Sequence, residues 1–250
     1  MTPREAATMP GPGPAADVAE QPPPPPPGGP PAWSAALATV ALASGLVVGA
    51  VVLVMATGGW DTEPVAAGVR LTWWQLALMF AASSVFVAHI EVNDQTHTFS
   101  LSEVPLILGL LFAAPEDLVA GRLIGETLVL GLYVRQPHGK LAFNLSVFFA
   151  ETCLATQLYA LLAPQQGGLD GTTAIAAFVA AAVACQFSAT SVWAVIRIHD
   201  GTEHLARLLV VGMVTTVANA SLAVVAAALA VTAPWALVPL LVVCAVMWVI

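Results

Sequence analysis

The chain alternates between long apolar runs and short polar breaks from Trp33 onward. A transmembrane helix needs about 20 mostly apolar residues, within a range of roughly 17–25. By that criterion the pattern predicts about eight spans. We place them at 33–56, 70–92, 98–114, 117–134, 141–163, 172–196, 205–231 and 234–250. The predicted fold is an all-α, polytopic transmembrane helix bundle whose first partner is the lipid bilayer.

The third and fourth runs are short, and only the turn around Pro115 separates them. They are either two full spans with little tilt or one re-entrant hairpin. Pro105 allows a broken helix, in which Glu103 lines a cavity. The same residues also suit a helix start, with Ser100 or Ser102 as N-cap and Glu103 at the positive end of the helix dipole.

Residues 1–31 have a different composition, with most of the nineteen prolines of the chain, including the run from Pro22 to Pro27. Such a segment cannot build a helix or a core, so we expect a disordered Pro-rich cytoplasmic tail. Residues 32–250 are then the transmembrane domain. The last apolar run reaches Ile250 without a polar flank, which predicts a fragment that lacks a downstream cytoplasmic domain.

Basic residues predict the orientation of the bundle. Arg135 and Lys140 flank the break after the fourth run, and Arg197 and Arg207 flank the break after the sixth. Basic residues concentrate on the cytoplasmic side of membrane proteins. The opposite breaks carry mostly acidic residues, with Arg70 as an exception. Both termini are therefore predicted to be cytoplasmic.

Composition supports the membrane assignment and excludes several functions. Apolar residues make up 58% of the chain and charged residues 9%, against roughly 25% charged residues in soluble domains. The seven Lys and Arg residues are too dispersed for a nucleic-acid partner. Cys153, Cys185 and Cys244 lie in apolar runs without metal-like spacing and indicate small buried thiols. We predict no catalytic set, metal site or cofactor.

Ionisable residues inside the predicted spans are the main functional candidates, because burying charge in a membrane is costly. Arg122 and Glu126 are four residues apart on one helix, so they share a face and can pair. The helical rise places Glu126 and Glu151 at comparable depth near mid-membrane. These three residues either form a ligand-binding or proton-sensing cluster, or a structural ion pair with a protonated carboxyl that holds helices together.

Glu103 and Asn144 form a second pair by depth, and Asn144 shares a helix face with Glu151. The candidate ligand-binding or sensing residues are Glu103, Arg122, Glu126, Asn144 and Glu151. Asn219, with its neighbouring threonines, is expected to make interhelical hydrogen bonds. Ala41, Gly45 and Gly49 form a small-residue stripe that would allow close helix packing, including a homodimer.

The stretch from 97 to 151 carries a family resemblance. It contains H-T-F-S-L-S-E-V-P-L-I-L-G-L-L-F-A-A-P, then G-R-L-I-G-E, R-Q-P-H-G-K-L-A-F-N-L and F-F-A-E. It resembles the N-terminal multi-pass membrane region of actinobacterial signalling proteins with GGDEF and EAL domains, which make and break down cyclic-di-GMP. The matching residues are Phe99, Ser100, Leu101, Ser102, Glu103, Pro105, Gly109, Pro115, Arg122, Gly125, Arg135, Gln136, Pro137, Lys140, Leu141, Phe143, Asn144 and Glu151. The resemblance implies a cytoplasmic output domain in cis.

The predicted function is a membrane-embedded sensor or anchor module in the bacterial plasma membrane, which relays a stimulus to cyclic-di-GMP turnover. No GGDEF or EAL stretch occurs in these 250 residues, so they are predicted not to be an enzyme. The alternative is a small-solute transporter or its substrate-binding subunit. The pattern of 98–134 has no second copy, which argues against the repeats of many transporters. A third reading is an anchor without sensing.

Overall fold

The computed structural model describes residues 32–60, 68–85, 88–92, 95–99, 101–163, 168–199 and 205–238. The predicted tail, residues 1–31, lies outside the described residues. So do Cys244 and most of the predicted last span, residues 239–250.

Helices dominate the described part of the chain. They are α1 (Ala32–Ala56), α2 (Trp73–Val85), α3 (Glu103–Phe112), α4 (Pro115–Glu126), α5 (His138–Leu162), α6 (Gly171–His199) and α7 (Leu205–Thr232). A π-helical segment, Thr127–Tyr133, continues α4, and a 3-10 turn, Pro234–Ala236, follows α7. Strands β1 (Ala88–Val92) and β2 (Gln95–Phe99) form an antiparallel hairpin between α2 and α3.

Four of the described helices are long and apolar enough to cross a membrane. They cover Trp33–Ala56, His138–Leu162, Gly171–His199 and Gly212–Thr232. The prediction of a helical membrane protein is confirmed at that level. The described residues thus hold four such helices where the hydropathy pattern predicts about eight spans.

Two predicted spans contain much shorter helices. The run 70–92 forms a helix of 13 residues, and the run 98–114 forms one of 10 residues. At about 1.5 Å per residue, these helices reach about 20 Å and 15 Å. The hydrocarbon core is about 30 Å thick. Neither helix is long enough to cross it alone, which corrects the prediction of full-length helical spans there.

The β-hairpin explains why those helices are short. Its register runs from Ala88 opposite Phe99 to Val92 opposite Gln95. The sequence of both strands alternates β-branched with polar residues, a pattern that favours strands. Asn and Asp occupy 93 and 94 between the strands, and both residue types favour tight turns. Average hydropathy over a long window hides this local signal.

Helices α2, α3 and α4 are joined at one end. The Leu71 amide donates to the carbonyl of Phe112 at 2.8 Å, just before the turn into α4. Helices α2 and α4 therefore run side by side in the same direction, and α3 runs in the opposite direction. Two adjacent spans and a re-entrant hairpin both give an antiparallel pair of helices, so the choice between them stays a prediction.

The short helix α3 lies at the centre of the bundle. Helices α2, α4, α5, α6 and α7 all contact it. Seven of its 10 residues are buried: Pro105, Leu106, Ile107, Gly109, Leu110, Leu111 and Phe112. Helix α1 lies at the periphery against α5, and most of its large apolar side chains are exposed. The helix with the most conspicuous transmembrane pattern is thus the least buried one.

Hydrogen bonds join the C-terminal end of α1 to α5. Gly58 and Gly59 take positive φ angles of 94° and 96°, which residues with a Cβ rarely adopt. The Gly59 amide donates to Val54 O at 2.9 Å, as in a Schellman ending. The Thr57 hydroxyl donates to Gln157 Oε1 at 2.6 Å, and Gln157 Nε2 donates to Gly59 O at 3.2 Å. These bonds hold the peripheral helix in a defined position.

Candidate polar site in the membrane bundle

Close contact between α2 and α4 positions the two ionisable side chains of α4. A Cβ at Gly121 would lie 2.6 Å from Leu76 Cβ, and one at Gly125 would lie 2.5 Å from Ala77 O. These glycines form a G-x-x-x-G pair, which permits helix backbones to approach closely. Arg122 and Glu126 each follow one of these glycines. The sequence contains this motif, but the same pattern at Gly45 and Gly49 on α1 does not mark a contact within the described chain.

The structure brings Arg122 and Glu151 together, as predicted. Arg122 Nη2 donates to Glu151 Oε2 at 2.9 Å. Arg122 is 1% exposed and Glu151 is 4% exposed. Arg122 Nη1 also donates to the Thr152 hydroxyl at 3.2 Å. This ion pair joins α4 to α5 within a largely apolar bundle.

Two aromatic rings enclose the guanidinium group. Its Cζ atom lies 5.3 Å from the Phe80 ring centroid and 5.0 Å from the Phe148 ring centroid. Both distances fall within the range of cation–π attraction. Arg122 Nε is buried and has no hydrogen-bond partner among the described residues. The rings therefore supply much of the stabilisation that water would supply elsewhere, and sequence reasoning did not identify them.

Glu126 has a different partner from the one that its spacing suggests. The Ser84 hydroxyl lies 2.9 Å from both carboxyl oxygens. In the described part of the chain, the ion pair within 4 Å is Arg122–Glu151, and Arg122–Glu126 is not one. The charges of Arg122 and Glu126 still interact at longer range. Glu126 thus connects α4 to α2 through a neutral hydroxyl.

Helix α6 also reaches this cluster. The Cys185 thiol donates to Glu151 Oε1 at 3.5 Å. Each carboxyl oxygen of Glu151 therefore has one named partner, Arg122 on one side and Cys185 on the other. The prediction of small buried thiols is not met by Cys185, which is only partly buried and contacts a carboxyl group. Cys153 is fully buried.

Glu103 binds α7 rather than Asn144. Asn219 Nδ2 donates to Glu103 Oε2 at 2.8 Å, which confirms the interhelical hydrogen bond expected of Asn219. Glu103 is the first residue of α3. Pro105 therefore falls in the first turn, where backbone amides have no helical partner to lose. The helix-start interpretation is correct, although Ser102 makes no side-chain cap bond.

Asn144 lies apart from the carboxyl groups. Its Nδ2 donates to Gln136 Oε1 at 2.9 Å. This bond spans the connection between the π-helical segment and α5. Arg135, in the same connection, takes a positive φ of 56°, a strained conformation for a residue with a Cβ. Glu103 and Asn144 are therefore similar in predicted depth but are not bonded to each other.

The cluster of Arg122, Glu126 and Glu151, with Glu103 nearby, contains more carboxyl groups than cations. Glu103, Glu126 and Glu151 all interact electrostatically with the single guanidinium of Arg122. A buried ionised carboxylate needs a counter-charge or several hydrogen bonds. Only Glu151 has an ion-pair partner within 4 Å among the described residues. The other two carboxyl groups are therefore suited to hold a proton or to attract a small cation.

Two cavities of the bundle lie away from these ionisable residues. A small void of about 10 Å³ lies beside Gly109 and Tyr159. A wide crevice lies between α1, α5 and α6. Neither is lined by Arg122, Glu126 or Glu151. The described residues include no group of three His, Cys, Asp or Glu residues placed to hold a metal ion.

Comparison with protein-family models, curated proteins and solved structures finds no match. The resemblance of residues 97–151 therefore rests on the residues that carry it. Several of them occupy special places in the fold: Gly125 at a helix contact, Pro115 at the start of α4, and Arg122 and Glu151 in the ion pair. At the level that the structure supports, this chain is a helical membrane protein with a buried polar cluster.

Proposed function

We propose that this chain is the membrane-embedded sensor module of a bacterial signalling protein, and that it relays a stimulus to a cytoplasmic output domain for cyclic-di-GMP turnover. The observation that carries the proposal is the buried cluster around the Arg122–Glu151 ion pair. The cluster has more carboxyl groups than cations, so a carboxyl group without an ion-pair partner can exchange a proton or hold a small cation. A change of protonation or of ion occupancy would alter its charge and so the packing of α2, α4, α5 and α6.

The π-helical segment after Glu126 connects the cluster to one end of the bundle. The π-helical segment starts at Thr127, immediately after Glu126, and ends at Tyr133. Single π-helical turns are less stable than α-helix and often occur at functional sites. The segment leads to the Gln136–Asn144 bond at the start of α5. The basic residues around this connection support its assignment to the cytoplasmic side.

The test replaces Glu126 by Gln in the complete reading frame that encodes this chain, expressed in its host. The amide preserves the shape of the side chain and an oxygen that accepts from Ser84, but it removes the titratable group. We expect cellular cyclic-di-GMP to change at least twofold. Glu116→Gln is the matched control, because Glu116 is an exposed carboxyl group of the same helix.

The proposal fails if Arg122, Glu126 and Glu151 can each be neutralised without a change in cyclic-di-GMP, while the protein stays in the membrane at its normal level. Equal effects of Glu116→Gln and Glu126→Gln would also count against it. In that case the cluster is a structural element of an anchor.

A transporter is the second candidate, and the half-length helices α2 and α3 favour it. Broken or short helices near buried carboxyl groups build the ion sites of many transporters. Proteoliposomes that enclose a pH-sensitive dye separate the two functions. Proton entry driven by a membrane potential, and lost in Glu126→Gln, would place transport ahead of sensing.

A further inference from the structure

A long crevice separates the first half of α1 from α5 and α6. Its volume is about 1080 Å³. On α1 its wall is one helical face that runs from Ala36 through Val40, Ala43 and Val47 to Val48. Val40 and Val48 are 62% and 61% exposed. This wall is mostly apolar, with Thr39 and Ser44 as its polar residues, and no described part of the chain covers Val40 or Val48.

The crevice ends at a polar and basic rim. Lys140, in the first turn of α5, and His199, the last residue of α6, both line it. Thr39 Oγ1 and His199 Nε2 are 3.0 Å apart. Because the Thr39 hydroxyl also lies 3.0 Å from the Ala35 carbonyl, a protonated Nε2 that donates to Thr39 satisfies both contacts. The first backbone amides of α5 lie at the same rim and have no helical acceptor.

From this combination we infer that the crevice binds one anionic phospholipid, with an acyl chain along α1 and its phosphate at Lys140. The inference does not rest on the sensor function: Asn144 lines the crevice, but Arg122, Glu126 and Glu151 do not. The occupant follows from the wall and the rim of the crevice. The mostly apolar wall disfavours a hydrophilic solute, and the basic rim favours a negatively charged headgroup.

The length of the crevice agrees with this occupant. From Ala36 to Val48 the wall extends about 18 Å at the helical rise. One leaflet of the hydrocarbon core is about 15 Å thick. The rim lies at the end of the bundle where α1 and α5 begin and α6 ends. A lipid of a single leaflet can therefore place its headgroup at the rim while its acyl chain follows α1.

Binding is measured on the full chain by native mass spectrometry, with phosphatidylglycerol and phosphatidylcholine of identical acyl chains as probes. We expect phosphatidylglycerol to bind roughly fivefold more tightly, the factor that corresponds to about 1 kcal/mol for one basic residue at an anionic surface. Lys140→Gln should abolish that preference. Arg70→Gln removes a basic residue that does not line the crevice and should leave the preference unchanged.

A second experiment identifies the occupant of the apolar wall. A photo-reactive benzoylphenylalanine at Val47 should cross-link to phospholipid in membranes. Ala43→Leu, which narrows the crevice, should lower the yield. Cross-links to residues 1–31, to 239–250 or to a second copy of the chain would overturn the inference, because the wall would then be covered by protein. Equal affinities for the two lipids, or equal effects of Lys140→Gln and Arg70→Gln, would overturn it as well.

Discussion

Arg122 is stabilised by partners from two other helices, since Phe80 of α2 and Phe148 and Glu151 of α5 all contact its guanidinium group. Hydropathy alone treats such a residue as an unfavourable feature of a span. Its neighbours offset the cost of burying the charge, because the carboxylate supplies the counter-charge and the rings attract the cation while excluding water. The ion pair is therefore coupled to the packing around it.

Removing one member of this pair should be more harmful than removing both. Arg122→Met leaves Glu151 buried without a cation, and we expect a loss of about 3–5 kcal/mol. The double variant Arg122→Met with Glu151→Leu should lose clearly less, because no isolated charge remains. Thermal unfolding in detergent, with Glu116→Gln as control, measures the difference. A double variant that is less stable than either single variant would contradict this account.

Asp170 offers a test outside the spans. Its carboxylate accepts from the Thr173 amide at 2.8 Å and from the Thr172 hydroxyl at 2.7 Å, and so caps the start of α6. These bonds favour the charged form and lower the pKa of Asp170 from 3.8 to about 2. Its contribution to stability is therefore present above about pH 4 and is lost as the pH falls toward 2.

Asp170→Asn should keep most of the cap but remove this part of the pH dependence, because an amide oxygen still accepts. Unfolding temperatures measured between pH 5 and 2 should fall less steeply for the Asn variant than for the native chain. Parallel curves for the two proteins would show that Asp170 is not capping α6 in solution.

The contact of α2 with α4 brings helix backbones close together at two glycines of α4, Gly121 and Gly125. A Cβ added at Gly121 or Gly125 would lie closer than van der Waals distance to backbone or Cβ atoms of α2. Backbone atoms cannot move aside as the far end of a flexible side chain can. The positions of Arg122 and Glu126 therefore depend on Gly121 and Gly125, because a Cβ at either glycine would force α2 and α4 apart.

Gly125→Ala is expected to separate these helices. The new Cβ would lie 2.5 Å from Ala77 O, so one helix must shift at a cost of about 1–3 kcal/mol. Gly49→Ala is the matched control: it is also in the interior of a helix, but nothing lies within 4 Å of its added Cβ. There the better helix propensity of Ala should make the change neutral or slightly stabilising. Unfolding temperatures that rank the two variants in the opposite order would refute the contact.

At the level of the complete bundle, the orientation remains a prediction from the positive-inside rule. Gly139 lies in the first turn of α5, and Gly168 lies just before α6. If α5 spans the membrane, these positions are on opposite sides of it. A membrane-impermeant maleimide should label Gly168→Cys in intact cells and Gly139→Cys only after permeabilisation, in a background without native cysteines. The reverse pattern would invert the orientation and place the crevice rim outside.

A homodimer through Ala41, Gly45 and Gly49 also remains a prediction. An added Cβ at either glycine would meet no described atom within 4 Å, so this stripe is not used in packing within the described chain. The lipid crevice occupies a different face of α1, because its lining includes Ala43 and Val47 but none of the stripe. The two surfaces can therefore be tested separately.

The bilayer assignment and the long helices follow from composition and periodicity alone. Lipid is the solvent for the long apolar runs, so their hydropathy predicts α1, α5, α6 and α7 closely. The depth argument placed Glu126 level with Glu151, because a regular helical rise converts sequence distance into height. The structure pairs Glu151 with Arg122, one turn away from Glu126 on α4. These inferences use only local chain geometry and the thickness of a membrane.

The hydrogen-bond partners of these side chains on neighbouring helices could not be predicted from depth. The height of a residue along a helix does not give the rotation of the helix about its axis. Depth therefore did not predict the observed partners: Glu126 bonds to Ser84, Glu103 to Asn219, and Asn144 to Gln136. The central place of α3 is also a tertiary property, since a short apolar helix is indistinguishable by hydropathy from part of a longer span. Packing decides both, because the G-x-x-x-G contact and the β-hairpin set which faces of α2, α3 and α4 meet.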